Sequence, residues 1–466
     1  MSPVRNPLLL PLALLVPLAV GIVFLCCASS GNERSPPTPA DTLEVKALPG
    51  YTASRVVTRA FPTEAYVIEV GEPTAPPVIL IHGINRDGAH DWNRTLPALA
   101  RTHRVLTFDL PGFGRSSRGD APYGPVTYAD FVDEVIEARV PGPFDLVAHS
   151  MGVAVALELA RRHPERVGRL VLVDAAGLLH GQSLSLEALE RQRDRLWLLG
   201  DLLEPVQRLA SDIMEDVPDQ VLRSFAANMP GSAAAQSAAR LMAYDAGPAL
   251  DSVRAPTLVV WGGHDEVVSE RGAWLLVARL HDARIAFLPE AAHVPMLESA
   301  DAFNALVTAW LSGRDDVGRA LAPAVADPSR SGECRWKWRR TEFTGSFSKL
   351  TFENCRDVVL RGVRAREIEI VDSKVTGEDV IVLGDQVAVS LSGSRLKLSG
   401  GMLAGVIPMR LAGSEVDLAG VTFEGVEASI EAIGNAEVLC SVCRLTHAGR
   451  TEGLHGFRAL RAAERL

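Results

Sequence analysis

Apolar positions along the chain follow three different patterns. From Glu44 to Ser312, short continuous apolar runs alternate with longer stretches of helical spacing, as in PPVILIHG, HRVLTFDLPGFG, FDLVAHSMG, RLVLVDAAG, PTLVVWGG and RIAFLPEAAH. Uniformly apolar runs are what strands need when helices cover both faces of a parallel sheet. The pattern predicts an α/β domain over residues 45–314. Between VLVDAAG and PTLVVWGG no good strand occurs, while LEALERQRDRLWLLGDLLEPVQRLA has helical spacing. This predicts a helical cap, at about residues 178–252, lying over one end of the sheet.

In the last third the period drops to two. LSGSRLKLSG at 391–400 recurs as LAGSEVDLAG at 411–420, and IVDSKVTG at 370–377 is a looser copy. Short alternating strands repeated with Gly and Ser between them predict an all-β repeat domain over 334–466, read as stacked coils of a parallel β-helix. A β-sandwich with two similar hairpins is the competing reading. Of 29 prolines only Pro408 lies beyond Pro328, and no lysine occurs between Lys46 and Lys337, so two unlike units meet near residue 330. Proline depletion fits coils that must donate backbone hydrogen bonds to their neighbours. The stretch 315–333, rich in Pro, Gly, Ala and Ser, reads as a linker after a helix ending near Leu311.

The third pattern opens the chain. Leu8 to Cys27 is a run of 20 residues without a charge, preceded by Arg5. It has no polar face and contains Pro11 and Pro17, so residues 1–31 read as a signal peptide or an uncleaved membrane anchor, followed by a polar linker at 32–44. Cys26 and Cys27 invite a lipoprotein reading, against which the bulk of Leu25 stands. Positive charge ahead of the run predicts that the remainder lies outside the cytoplasm, secreted or anchored at a cell envelope.

Composition narrows this further. With 47% hydrophobic and 22% charged residues, the chain is neither disordered throughout nor a coiled coil. A net charge of -10, from 57 acidic against 47 basic residues, argues against a nucleic-acid partner gripped by the overall field. The four cysteines outside the N-terminal run allow three pairings, of which Cys334–Cys355 is the expected one. Cys440 and Cys443 form a CxxC without the strand-to-helix setting of a redox motif and without a second CxxC to hold zinc. CRWKWRR at 334–340 predicts a strand with Trp336 and Trp338 on one face and Arg335, Lys337 and Arg339 on the other. That strand caps the β-helix or faces an anionic envelope surface.

Candidate chemistry centres on AHSMG. The strand FDLVAHS runs into the helical pattern VAVALELARRH, so Ser150 stands at a strand-to-helix junction, the setting of a nucleophile elbow. Ala148 and Gly152 supply the small residues that the turn needs, although Ala148 departs from the usual GxSxG. Taken alone, a serine there reads equally well as a helix cap. Asp265 follows the strand in PTLVVWGG, and His293 follows the strand in RIAFLPEAA. In this order, with LIHG at 80–83, DLPGFGRSS at 109–117 and WGGHD at 261–265, the sequence resembles the α/β-hydrolase superfamily over roughly residues 45–312.

The resemblance implies an α/β-hydrolase fold with a helical cap and a catalytic triad of Ser150, His293 and Asp265. It also implies an oxyanion hole built from the backbone amides of Ile84 and Met151, and no metal or organic cofactor. Asp174, after the strand RLVLV, is a rival for the acid. His82 is expected to orient the oxyanion loop, His149 and His264 to be structural neighbours, and Asp109 to form a turn. Serine rather than aspartate at the nucleophile position argues against epoxide hydrolases and haloalkane dehalogenases. The expected activity is hydrolysis of a small apolar ester or lipid, esterase- or lipase-like, through an acyl-enzyme. Carbon–carbon bond hydrolases and cofactor-free haloperoxidase-like enzymes share the triad. A reading of another class makes the β-helix a surface- or glycan-binding module and the hydrolase domain a degenerate scaffold. Otherwise the β-helix is an accessory domain that positions the enzyme or takes an envelope or protein partner.

Overall fold

A computed structural model describes residues 43–119, 122–183, 187, 232–320 and 329–466. The N-terminal apolar run and most of the helical insertion lie outside the described residues. Among those described, no helix is long and apolar enough to cross a membrane.

Nine strands form one sheet: β1 (Thr52–Val57), β2 (Glu64–Val70), β3 (Pro77–Ile81), β4 (Arg104–Asp109), β5 (Phe144–His149), β6 (Val167–Val173), β7 (Thr257–Gly262), β8 (Ala283–Leu288) and β9 (Arg319–Ala320). Their spatial order is β1-β2-β4-β3-β5-β6-β7-β8-β9. From β4 to β8 every pairing is parallel. The uniform apolar runs are these central strands. Alternate residues of one strand enter different cores: Ile79 and Ile81 pack with Val153 and Leu157, Val78 and Leu80 with Phe303 and Val307. The helices that cover these faces include α1 (Pro125–Arg139), α2 (Met151–Arg162), α3 (Ala233–Met242), α4 (Gly247–Ser252), α5 (Arg271–Arg279) and α6 (Ala300–Leu311). β1 and β2 are antiparallel additions at one edge. β1 has no buried residue and β2 carries partly exposed residues between buried ones, so neither shows the continuous apolar signature. At the other edge β9 pairs antiparallel with β8, so the sheet takes in residues that read as linker.

The C-terminal domain begins at strand Ser331–Arg335 and is built from two sheets whose strands alternate in sequence. Glu367–Val371, Val387–Ser392 and Ile407–Ala412 stack in one, Lys374–Leu383, Arg395–Gly405 and Ser414–Ala419 in the other, all in parallel. The repeat seen in the sequence is the vertical register, with Leu396 beside Val416 and Leu398 beside Leu418. This is a β-helix-like arrangement. A serine ladder fastens one corner: the amides of Cys355, Ser373 and Ser394 donate to Ser373, Ser394 and Ser414 Oγ at 2.9, 3.1 and 3.1 Å. Cys334 and Cys355 form a disulfide, while Cys440 and Cys443 are free, buried thiols. The last strand, Arg450–Leu460, turns back antiparallel on Ala436–His447 and ends the parallel stack.

One strand expected from the sequence is absent. CRWKWRR does not continue beyond Arg335; Trp336 adopts φ 55° and residues 336–340 form a corner loop. Its side chains are not sorted onto two faces, because a left-handed residue breaks the alternation that a strand imposes.

The two domains are in direct contact through α5. A Cβ at Gly400 would lie 2.8 Å from the Trp274 carbonyl oxygen, and one at Gly420 would lie 2.7 Å from Leu275 Cα. Both glycines also have positive φ, so they serve at once the coil corner and the close approach of the helix. Arg271, at the start of α5, is buried and reaches Asp417 of the β-helix at 2.8 Å and Glu187 of the insertion at 2.8 Å.

Candidate active site

Ser150 sits between β5 and α2 with φ 53° and ψ -121°, a conformation few non-glycine residues adopt. The turn is enforced by close packing behind it. A Cβ on Gly152 would lie 2.5 Å from the Ile81 carbonyl oxygen, and one on Gly83 would lie 2.7 Å from Ser150 Cβ. Ala148 is accommodated because it still belongs to β5, paired with Ile81 and Leu172, where its methyl group joins the core.

The structure brings Ser150, His293 and Asp265 together. Ser150 Oγ is 3.2 Å from His293 Nε2, and His293 Nδ1 is 2.8 Å from Asp265 Oδ2. A carboxylate accepts only, so Nδ1 carries the proton and Nε2 is left to accept from the serine hydroxyl. Asp265 Oδ1 accepts from the amides of Val267 and Val268 at 2.7 and 3.0 Å. Burial raises the Asp265 pKa, but His293 and these two amides more than reverse this and hold the carboxyl below its ordinary value. A hydroxyl, imidazole and carboxylate in this relation can move a proton off serine as it attacks an electrophile.

Asp174 does not take the place of Asp265. It is fully buried with φ 42°, and its Oδ1 accepts from the Gly262 amide at 2.8 Å. Burial and the neighbouring Asp265 carboxyl push its pKa well up. Asp174 thus neighbours the Asp265 carboxyl while His293 pairs with Asp265, an arrangement that strand-end position alone did not indicate.

The loop carrying His293 is held from two sides. Glu298 accepts from the amides of Ala292 and Val294 at 2.8 and 3.2 Å. His149, the residue before Ser150, donates from Nε2 to the His293 carbonyl at 2.7 Å. Burial first, and then the nearby His293, lower the His149 pKa to about 3. It stays neutral in the folded protein while the unfolded chain protonates near 6.5, so the folded state binds fewer protons between these values. Stability is therefore expected to fall as pH drops from 6.5 toward 3. A His149→Gln variant, which keeps an N–H donor, should lose less; urea midpoints from pH 7 down to about 4 would measure the difference.

Met151 opens α2, so its amide is among the first-turn N–H groups that have no intrahelical acceptor. Ile84 follows Gly83, which packs on Ser150. His82 ties this loop to the next: its Nδ1 donates to the Gly83 carbonyl at 2.7 Å, and its Nε2 accepts from the Leu110 amide at 2.9 Å. Asp109 fastens the same region by accepting from the amides of Ala89 and Arg115, both at 2.8 Å. His264 is exposed beside Asp265. His149, Asp174 and His293 bring potential ligand atoms within 4.8 Å of one another. Both ring nitrogens of His293 already face Asp265 and Ser150, so an ion ligated by His293 would interrupt that relay.

A profile of the alpha/beta hydrolase family matches residues 78–306. A pimeloyl-[acyl-carrier protein] methyl ester esterase of Neisseria meningitidis serogroup A is 30% identical over 257 residues, covering 53% of this chain and 80% of that protein. The chain belongs to the alpha/beta hydrolase family. Another relative of this hydrolase, the 2-hydroxymuconate semialdehyde hydrolase of Pseudomonas sp. strain CF600, is 29% identical over 51% of this chain and 88% of its own length. Among solved structures, a hydrolase from Pseudomonas aeruginosa PA01 aligns at 25% identity with a TM-score of 0.43, over 56% of this chain and 99% of the other. The matched span of the hydrolase contains Ser150, Asp265, His293, Ile84 and Met151, and stops short of the β-helix.

Proposed function

We propose that this hydrolase cleaves carboxylic esters through an acyl-enzyme on Ser150. His293 takes the serine proton during attack on the carbonyl and returns it to the departing alcohol. It then deprotonates the water that releases the acid. Asp265 holds the imidazole tautomer and balances its transient charge, and the Met151 and Ile84 amides face the oxyanion. The observation that carries this reading is the continuous Ser150–His293–Asp265 relay, at 3.2 and 2.8 Å, ending on a serine in a strained turn.

An ester substrate is favoured over other acyl compounds by the similarity to a methyl ester esterase. The Leu-rich insertion favours an apolar acyl group. Carbon–carbon bond cleavage is the second reading, motivated by the similarity to the 2-hydroxymuconate semialdehyde hydrolase. The charge and length of the N-terminal run support an exported or membrane-anchored enzyme. The test is pre-steady-state hydrolysis of p-nitrophenyl esters of graded chain length. A burst of one p-nitrophenol per enzyme is expected. Absence of a burst, together with turnover of 2-hydroxymuconate semialdehyde, would replace the ester reading with the second one.

A further inference from the structure

The corner loop that replaces the expected tryptophan strand is the most unusual surface of the β-helix. Equivalent corners further along are short: Asp372–Ser373 and Gly393–Ser394 are all that separate the strands on either side. The first corner instead holds Trp336, Lys337, Trp338, Arg339 and Arg340, and every one of them is exposed. Trp336 and Trp338 are 67% and 73% exposed, whereas the hydrolase domain buries Trp92, Trp261 and Trp310 completely or nearly so. An indole in water forgoes a large apolar gain, so two of them on one corner loop need a partner to make sense.

The loop is held in shape from beneath. The Cys334–Cys355 disulfide ties its first strand to the next corner, the Trp336 amide donates to the Glu353 carbonyl at 2.9 Å, and the Arg356 amide donates to the Lys337 carbonyl at 3.0 Å. Arg356 lies over the Trp338 ring at 4.9 Å, adding a further cation from the neighbouring corner. Arg335 is paired with Glu333 and Glu353, but Lys337, Arg339 and Arg356 have no carboxylate partner among the described residues. The result is a braced projection of two indoles and several unpaired cations on a protein whose net charge is -10.

We infer that this loop docks the protein onto an anionic phospholipid bilayer, with the indoles at the headgroup level and Lys337, Arg339 and Arg356 against lipid phosphates. Indoles favour that interface because one edge is apolar and the N–H is polar. Cations beside them are drawn by the negative surface potential, while the acidic remainder of the molecule is repelled and so orients the loop toward the membrane. A sugar-stacking platform is disfavoured, since Arg356 already occupies one face of Trp338. The inference is independent of the reaction at Ser150.

The test uses the full chain with phosphatidylcholine vesicles, with and without phosphatidylglycerol, and brominated acyl chains as quenchers of indole fluorescence. Quenching is expected only when phosphatidylglycerol is present, and it should disappear in a Trp336→Phe/Trp338→Phe variant. A Lys337→Glu/Arg339→Glu variant should bind these vesicles on the order of tenfold more weakly, with far-UV circular dichroism and ester turnover unchanged. All forms carry the same N-terminal run, so the differences report on the loop. Quenching that ignores phosphatidylglycerol, or that survives the charge reversal, would overturn the inference. So would Trp-dependent retardation by a soluble glycan without vesicle binding.

Discussion

Replacing Ser150 with alanine is expected to eliminate covalent labelling by a fluorophosphonate probe and to lower ester turnover by about 10^4-fold or more. The size follows from the relay. Without Oγ there is no atom for His293 Nε2 to activate at 3.2 Å, and the remaining amides only stabilise an oxyanion that water must generate unaided. Folding should be almost untouched. Alanine carries the same Cβ through the φ 53° turn, and the Ser150 side chain makes no capping hydrogen bond to α2. Unchanged circular dichroism with lost labelling is therefore the expected pair of results. Labelling that persists in this variant would place the reactive nucleophile elsewhere and refute the acyl-enzyme on Ser150.

Replacing Arg271 with methionine is expected to destabilise the whole chain by about 3–5 kcal/mol, because it strands two buried carboxylates. In the native protein Arg271 donates to Asp417 and Glu187 at 2.8 Å, to Ser399 Oγ at 2.8 Å and to the Leu398 and Asp417 carbonyls. Burial opposes its charge, but Asp417 and Glu187 more than compensate and keep the guanidinium protonated. The same junction holds Ser183 Oγ on Asp417 at 3.1 Å and the His180 amide on Ser441 Oγ at 2.8 Å. Chain leaving β6 for the insertion, α5 and the β-helix thus meet at one ion cluster. Asp265 lies just upstream of α5, so a reduced kcat should accompany the stability loss. Urea midpoints and ester turnover of the full chain measure both. A companion variant in which Arg271, Asp417 and Glu187 are all apolar should recover much of the stability, since it leaves no unpaired charge. An unchanged midpoint in Arg271→Met would mean that the two domains do not share this junction in solution.

This junction recasts the β-helix. The sequence reads as a catalytic domain with an accessory unit beyond a linker, a relation that would let either piece fold alone. Gly400 and Gly420, which read only as repeat punctuation, are the places where α5 touches the coils. Nothing in the local pattern marks Arg271 or its partner Asp417 as a pair. Their pairing spans 146 positions, and local pattern carries no information about a contact between side chains so far apart in the chain.

The candidate site was legible for a different reason. Ser150, Asp265 and His293 each stand at the end of a buried parallel strand, and strand ends of one parallel sheet come together at one edge whatever lies between them. The roles of His149 and Asp174 were less legible. Both neighbour readable landmarks, but a hydrogen bond to the His293 carbonyl and a buried place beside Asp265 depend on orientation, which strand patterns do not encode. The strand read into CRWKWRR failed for a similar reason. Alternation of aromatic and basic residues satisfies a strand, yet the disulfide and the Glu353 carbonyl hold Trp336 in a left-handed turn.

By itself, the sequence determined the α/β domain, the repetitive β domain, and the strand-end positions of Ser150, Asp265 and His293, because hydrophobic periodicity and turn residues are local signals written every few positions. Tertiary structure alone decided that Asp265 and not Asp174 pairs with His293, that His149 steadies the His293 loop, and that α5 is locked to the β-helix through Arg271. Each of these depends on desolvation and distance between groups remote in sequence. Burial turns such contacts from negligible surface pairings into strong ones.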